Sequence, residues 1–167
     1  LDAKPNAAHM KLAELEKCGK LKAVVTQNID GLHQAAGSRT VYELHGSIHR
    51  NYCQKCGKFF DAAYVKNADG VPKCDACGGM IKPDVVLYEE ALDSDTIQKA
   101  VQAISEADTL IIGGTSLVVY PAASFIDYFR GKNLVVINKD ATARESEASL
   151  AIHDAIGKVM EQIKVEC

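Results

Sequence analysis

The chain has 167 residues, 47% of them hydrophobic, and a formal net charge of −3. That is apolar material enough for a packed core and too much for a disordered chain. Acids and bases are interspersed without a basic stripe, which argues against nucleic-acid binding, and no apolar run approaches a bilayer span. Taken in chain order, residues 5–18 read as a helix, with Pro5 in the first turn, an apolar stripe at Ala8, Leu12 and Leu15, and Gly19 as C-terminal cap. Residues 23–26 read as a short buried strand, followed by the polar loop QNIDGLH. A second strand is expected over 40–44. From residue 45 to 81 aliphatics thin out while Cys, Gly and Lys appear, the pattern of an insert built around metal. Strand is expected again over 84–87. A helix capped by Asp93 or Ser94 follows, carrying Ile97, Val101 and Ile104. Residues 109–112 read as strand, then GGTS, a helix over 121–129, strand over 134–137, and a last helix over 154–164 with Ile156, Val159, Met160 and Ile163 inward.

Short apolar strands alternating with helices predict an α/β protein with a parallel, Rossmann-like sheet and helices on both faces. Ligands of such sheets bind beyond the carboxyl ends of the strands. Three loops fall there: QNIDGLH after Val25 and Thr26, HGS after Leu44, and GGTS after Ile112. A fourth, NKDAT, follows Ile137. The division expected is a nucleotide-binding domain of residues 1–47 and 82–167, with a zinc-binding module of residues 48–81 set into it.

Six cysteines need an account. Cys53, Cys56, Cys74 and Cys77 have the spacing C-x2-C-x17-C-x2-C, in which two knuckles each offer two thiolates to one ion. A closed set of four sulfurs leaves no position for water, so this zinc is structural. A Cys3His site using His49 is the alternative. Cys18 and Cys167 stand apart in sequence. The set as a whole reads as that of a reducing, intracellular compartment.

His45 follows a strand and precedes Gly46, at the sheet's ligand edge. A packed or capping histidine is one reading; a proton acceptor near neutral pH is the other. Asn28 and Asp30 suit recognition of a carboxamide or a ribose, and equally an Asx-turn. GGTS offers backbone N–H groups to an anion but lacks a full phosphate-loop spacing. His9 and His153 read as helix residues, and His33 as a local hydrogen-bonding partner.

Together, PNAAHMKLAELE, TQNIDGLHQAAGS, VYELHGS, the two knuckles, KPDVVLYEE, GTSLVVYPAA and LVVINKDAT resemble the sirtuin family, the NAD-dependent protein-lysine deacylases, in a compact bacterial-like form. The segments come in the family's order and cover nearly the whole chain. The resemblance implies roles. His45 matches the catalytic base. Gln27, Asn28 and Asp30 match the loop holding the nicotinamide end of NAD. Gly114, Thr115 and Ser116 match a loop on the ribose and phosphates, Asn138 the adenosine end, and Ile156 a neighbour of the adenine. Val85, Val86 and Leu87 match the segment that pairs by backbone with the substrate peptide, a mode that tolerates varied sequences. The implied chemistry begins with attack of the acyl-lysine carbonyl oxygen on the ribose carbon bearing nicotinamide, which leaves. His45 then takes a proton from a ribose hydroxyl, and that oxygen attacks the former acyl carbon. Water completes the reaction to free lysine and O-acyl-ADP-ribose.

Two departures matter. The family's opening strand, its Gly-Ala-Gly-x-Ser loop and a following segment bearing an Arg and a Phe have no match here. The chain by itself is therefore expected to bind NAD weakly or not at all and to be weakly active or inactive. Either it is cut from a longer protein, or the missing segment is supplied otherwise, as by self-association through an exposed sheet edge. The second departure is Tyr88-Glu89-Glu90, where the family has Phe-Gly-Glu. The expectation is thus a cytoplasmic, zinc-bearing protein deacylase acting on acylated-lysine proteins or peptides. The alternatives are a non-catalytic zinc-bearing peptide-binding module and a protein ADP-ribosyltransferase.

Overall fold

The computed structural model describes residues 2–142 and 144–167. Its elements, in order, are α1 (Ala7–Lys17), β1 (Val24–Thr26), α2 (Leu32–Ala35), β2 (Val41–Glu43), β3 (Gly46–Cys53), β4 (Phe59–Phe60), α3 (Ala62–Lys66), β5 (Ile81–Val85), α4 (Ser94–Ser105), β6 (Thr109–Gly113), β7 (Asn133–Ile137), β8 (Leu150–Ile152) and α5 (Ile156–Glu161). They fall into two compact units. One, the α/β unit, comprises Asp2–Val25, Leu32–Tyr42 and Asp93–Cys167; the other, the four-cysteine unit, comprises Thr26–Gly31 and Glu43–Leu92.

In the α/β unit, β6, β7 and β8 pair in parallel and in that order. Successive residues of β7 serve opposite faces, as the period of a strand requires. Leu134 and Val136 pack with Ile112, Leu117 and Ile126. Val135 and Ile137 pack with Ala8, Met160 and the apolar residues of α1 and α5. Helical segments therefore cover both faces, as the alternating pattern predicts. The stripe of the last helix is confirmed: Ile156, Val159, Met160 and Ile163 all enter that second cluster, although the helix itself is shorter than expected.

Local capping chemistry explains the helix starts. Asn6 accepts from the Ala8 and His9 N–H groups at 2.9 and 3.2 Å, and His9 Nδ1 accepts from the Asn6 N–H, so α1 begins at Ala7 and Pro5 lies before it. Asp93 caps α4, accepting from the Thr96 N–H and hydroxyl, each at 2.8 Å. Residues 122–128 form a 3₁₀ segment in place of the expected α-helix. Strand β8 lies in a stretch where the pattern shows no strand. Cys18 and Cys167, remote in sequence, are joined as a disulfide with Cα atoms 4.8 Å apart, a pairing not anticipated from a reducing compartment.

The four-cysteine unit holds an antiparallel sheet of order β4-β3-β5. The expected module boundary at residue 82 falls inside β5, because that strand pairs with β3 from Gly46↔Val85 through Cys53↔Ile81. The expected strand over 84–87 starts earlier for the same reason. Strands β1 and β2 form a separate two-stranded pair. Val24 N–H donates to Thr40 O and Leu44 N–H to Thr26 O, both at 2.9 Å, so the residue numbers climb together and the pair is parallel.

Candidate functional site

The ligand atoms of Cys53, Cys56, Cys74 and Cys77 all lie within 4.8 Å of one another. Cys53 and Cys77 sulfurs are 3.4 Å apart, those of Cys56 and Cys74 3.7 Å. Zinc–sulfur bonds of about 2.3 Å in a tetrahedron set the sulfurs about 3.8 Å apart, so this set fits zinc. Each knuckle is closed by its own backbone: Gly57 N–H donates to Cys53 O at 2.9 Å, and Gly78 N–H to Cys74 O at 2.8 Å. The N–H of Cys56 foremost, helped against burial by those of Lys55 and the neighbouring thiols, holds the Cys53 thiol down at about 6. Cys77 is pulled down by the Gly79 N–H but raised further by its contact with Cys53, Cys56 and Cys74, reaching about 12. A divalent cation bound by these four sulfurs would take the place of the thiol protons. His49 stands outside the cluster: the four cysteines gather without it, and its Nε2 donates to the Asp30 carbonyl at 2.9 Å.

In the same unit, His45 sits in the turn between β2 and β3 and is half-buried. Its Nδ1 is 2.9 Å from Gln27 O. A carbonyl oxygen only accepts, so Nδ1 carries the hydrogen and Nε2 presents a lone pair. The NIDG loop is held to β3 by Ile48 N–H donating to Ile29 O at 3.1 Å and by the His49 bond. Thr26 Oγ1 accepts from the Asn28 N–H at 3.1 Å, leaving the Asn28 side chain exposed. Structure thus brings Gln27 and His45 into contact and keeps Asp30 tied to the strand that follows His45.

Gly46 is required by close packing. At φ 75° a Cβ there would overlap the Asp84 carbonyl oxygen and stand 2.9 Å from its carbon. This contact draws β5 against the residue next to His45. Val86 N–H donates to His45 O at 3.1 Å, so Val85 and Leu87, one residue either way, direct their backbone groups to the outer edge of the sheet. Those edge groups are engaged: Lys82 Nζ donates to Val85 O at 3.2 Å, and Glu90 Oε2 accepts from Leu87 N–H at 2.9 Å. The two side chains pair with each other at 3.2 Å. Glu89 adopts φ 72°, a conformation natural to glycine, at the position where the sirtuin pattern has glycine.

In the α/β unit, Gly114 follows β6 and Asn138 follows β7. The Gly113↔Ile137 register puts them at adjacent strand ends, and Gly114 N–H donates to Ile137 O at 3.1 Å. Thr115 Oγ1 accepts from Leu117 N–H at 3.2 Å, and Ser116 is exposed. Asn138 Nδ2 donates to Asp140 O at 3.0 Å. Ile156 joins them: a Cβ on Gly113 would collide with the Ile156 side chain, so only glycine lets α5 approach this strand end. The sequence motifs assign no role of their own to Gly113, Glu43, Arg50, Lys82 or Glu90, although Gly113 opens GGTS and Glu90 ends the Tyr88-Glu89-Glu90 departure. Only Gly113, in a Gly-Gly pair closing a strand, carried a signal. His153, expected on a helix, follows β8 and lies 2.7 Å from Glu145 Oε1.

A parallel α/β unit with its loops gathered at the strand ends, carried on one chain with a four-thiol metal module, defines the class. The comparisons supply the family. The model of the Sir2 family matches residues 1–121. An NAD-dependent protein deacetylase of Clostridium acetobutylicum is 69% identical over 163 residues, covering 97% of this chain and 66% of that protein. One from Clostridium perfringens is 63% identical, covering 97% and 67%. Among solved structures, a Sir2–p53 peptide–NAD+ complex superposes with TM-score 0.90 at 40% identity, covering 97% of this chain and 70% of the other. A Sir2 complex with EX-527, 2′-O-acetyl-ADP-ribose and deacetylated p53 peptide gives TM-score 0.90 at 41% identity. The chain belongs to the Sir2 family. It spans about two thirds of the length of the curated relatives it matches.

Proposed function

We propose that this chain carries the acid–base and peptide-binding part of an NAD-dependent protein-lysine deacylase, acting in the cytoplasm on acyl-lysine proteins. The observation that supports this best is the His45 Nδ1–H bond to Gln27 O, which fixes the tautomer and leaves Nε2 as a base. Bound NAD supplies an electrophilic ribose carbon with nicotinamide as leaving group. Gln27, Asn28 and Asp30 receive the nicotinamide end. Gly114, Thr115 and Ser116 take the ribose and phosphates through backbone N–H and hydroxyl groups, and Asn138 and Ile156 receive the adenosine end. His45 Nε2 accepts the proton of a ribose hydroxyl. Val85, Val86 and Leu87 align the peptide by strand addition. A zinc ion held by Cys53, Cys56, Cys74 and Cys77 would brace β3 and take no part in proton transfer.

The test is nicotinamide release from NAD with an acetyl-lysine peptide, on this chain and on the full-length protein of its reading frame. We expect turnover by the full-length protein and a loss of about 10²–10⁴-fold in its His45→Ala variant, the range of general-base help. Retained turnover in that variant removes His45 from this role. Peptide binding without any nicotinamide release supports a binding module instead, and transfer of label from NAD onto protein supports an ADP-ribosyltransferase. Relatives named as deacetylases favour the first outcome.

A further inference from the structure

The ladder between β3 and β5 is interrupted beside the candidate base. Gly46 faces Val85 and Ser47 faces Asp84, but the next pair is Asn51↔Pro83. Residues 48–50 therefore stand where β5 supplies no partner. An interruption of this kind forfeits ladder hydrogen bonds and re-aims side chains, and bulges are common beside active sites. Here each displaced residue finds a partner in the segments that form the proposed site. Ile48 and His49 bind the carbonyls of Ile29 and Asp30. Arg50 reaches two carboxylates: its Nη1 donates to Glu43 Oε2 at 2.7 Å and its Nε to Asp84 Oδ2 at 2.8 Å.

Those carboxylates have telling neighbours. Glu43 stands two residues before His45, and Asp84 one residue before Val85. The Glu43 side chain is only 7% exposed, against 39% for Arg50 and 46% for Asp84. Without Arg50 a buried carboxylate is left unpaired, with a second acidic group on the neighbouring strand, so that strand and turn must move. A lysine cannot replace this guanidinium, because a point charge on a flexible stem cannot span two acceptors in fixed directions.

We propose that Arg50 is a positioning residue for the reaction: its guanidinium sets the spacing between the turn carrying His45 and the strand that receives the acyl-lysine peptide. This rests on the deacylase reading above. Misplacement of reacting groups by about 1 Å costs on the order of 10²-fold in rate. The loss falls on the step that uses His45, after nicotinamide has departed. Exchange of labelled nicotinamide into NAD needs only the earlier step, in which His45 takes no part, and loses far less.

The experiment compares Arg50→Lys, Arg50→Met, Glu43→Gln and Asp84→Asn in the full-length protein, measuring deacylation, nicotinamide exchange, peptide KM and thermal unfolding. We expect deacylation to fall about 10²-fold in Arg50→Met, with exchange changing far less, and Arg50→Lys to recover only part of the loss. Asp84→Asn raises peptide KM, whereas Glu43→Gln lowers kcat. Where Arg50→Met does not fold, Arg50→Lys and Asp84→Asn carry the test. Wild-type turnover with deacylation and exchange unchanged within about twofold in these variants, or falling in parallel, overturns this inference alone. No turnover in the wild type overturns the deacylase reading, and this inference with it.

Discussion

Gly46→Ala probes the approach of the two strands at its tightest point. The new methyl carbon would stand 2.9 Å from the Asp84 carbonyl carbon and overlap its oxygen, on a backbone at φ 75°. Carbon–carbon contacts settle at about 3.5–4.0 Å, so the strands must part by at least ~0.6 Å. The left-handed conformation costs an alanine about 1 kcal/mol. Parting the strands weakens the Val86 N–H bond to His45 O and the adjoining ladder, about 1 kcal/mol per bond lost. The total is about 3 kcal/mol for two bonds lost. Gly19→Ala is the control, with φ 69° and nothing within 4 Å of its Cβ, so it carries the conformational cost alone. Urea unfolding reads the totals, and amide exchange at Val86 reads the local opening. Equal destabilisation by the two substitutions, with Val86 exchange unchanged, would refute the claim that this contact holds β5 beside His45.

Removal of zinc tests the module. Chelation, or Cys53→Ser, should abolish the protection of β3 and β5 amides while leaving the α/β unit helical by circular dichroism; unchanged exchange in metal-free protein argues against the bracing role. Glu16 offers a pH test. Burial raises its carboxyl, but the N–H groups of Arg39 and Thr40, each at 2.7 Å, pull it down further, and the net shift is downward. Its stabilisation is therefore complete above the ordinary glutamate range and lost as pH falls through the lowered value. Glu16→Gln should be the less stable protein at about pH 7 by urea midpoint, with the gap narrowing as pH falls below the ordinary glutamate range; a constant gap on acidification contradicts this account. The Lys82–Glu90 pair makes a third case, since a peptide pairing with β5 must displace it. Lys82→Met should lower peptide KM by a few-fold at low salt and less at high salt, the scale of an exposed ion pair. A raised KM shows that Lys82 assists the peptide instead.

What could be read from the linear chain was local. The knuckle spacing named the metal set, because two thiolates per turn is a property of a few successive residues. The Asp93 cap, the apolar β6 and β7, and the stripe of α5 were legible for the same reason. Strand β3 was not. Its buried residues include Ser47 and Asn51, which break the apolar alternation, and its interruption spoils the two-residue period. The 3₁₀ course of residues 122–128 and the short β8 lack a periodic signal long enough to separate them from helix or loop.

The candidate site divides along the same line. Motif order alone proposed His45, the NIDG loop and the strand-end loops, since each is a contiguous run. The tautomer of His45 depends on Gln27, 18 residues away; the lodging of Ile156 against Gly113 joins positions 43 apart; and Arg50 meets Asp84 across 34. Such contacts come into being only when strands pair and pay their loop-closure entropy through packing, so no window of neighbouring residues contains them. Composition, caps and ligand spacing were fixed by the chain's own order. Which polar groups meet, and which proton each then holds, was decided by the tertiary fold.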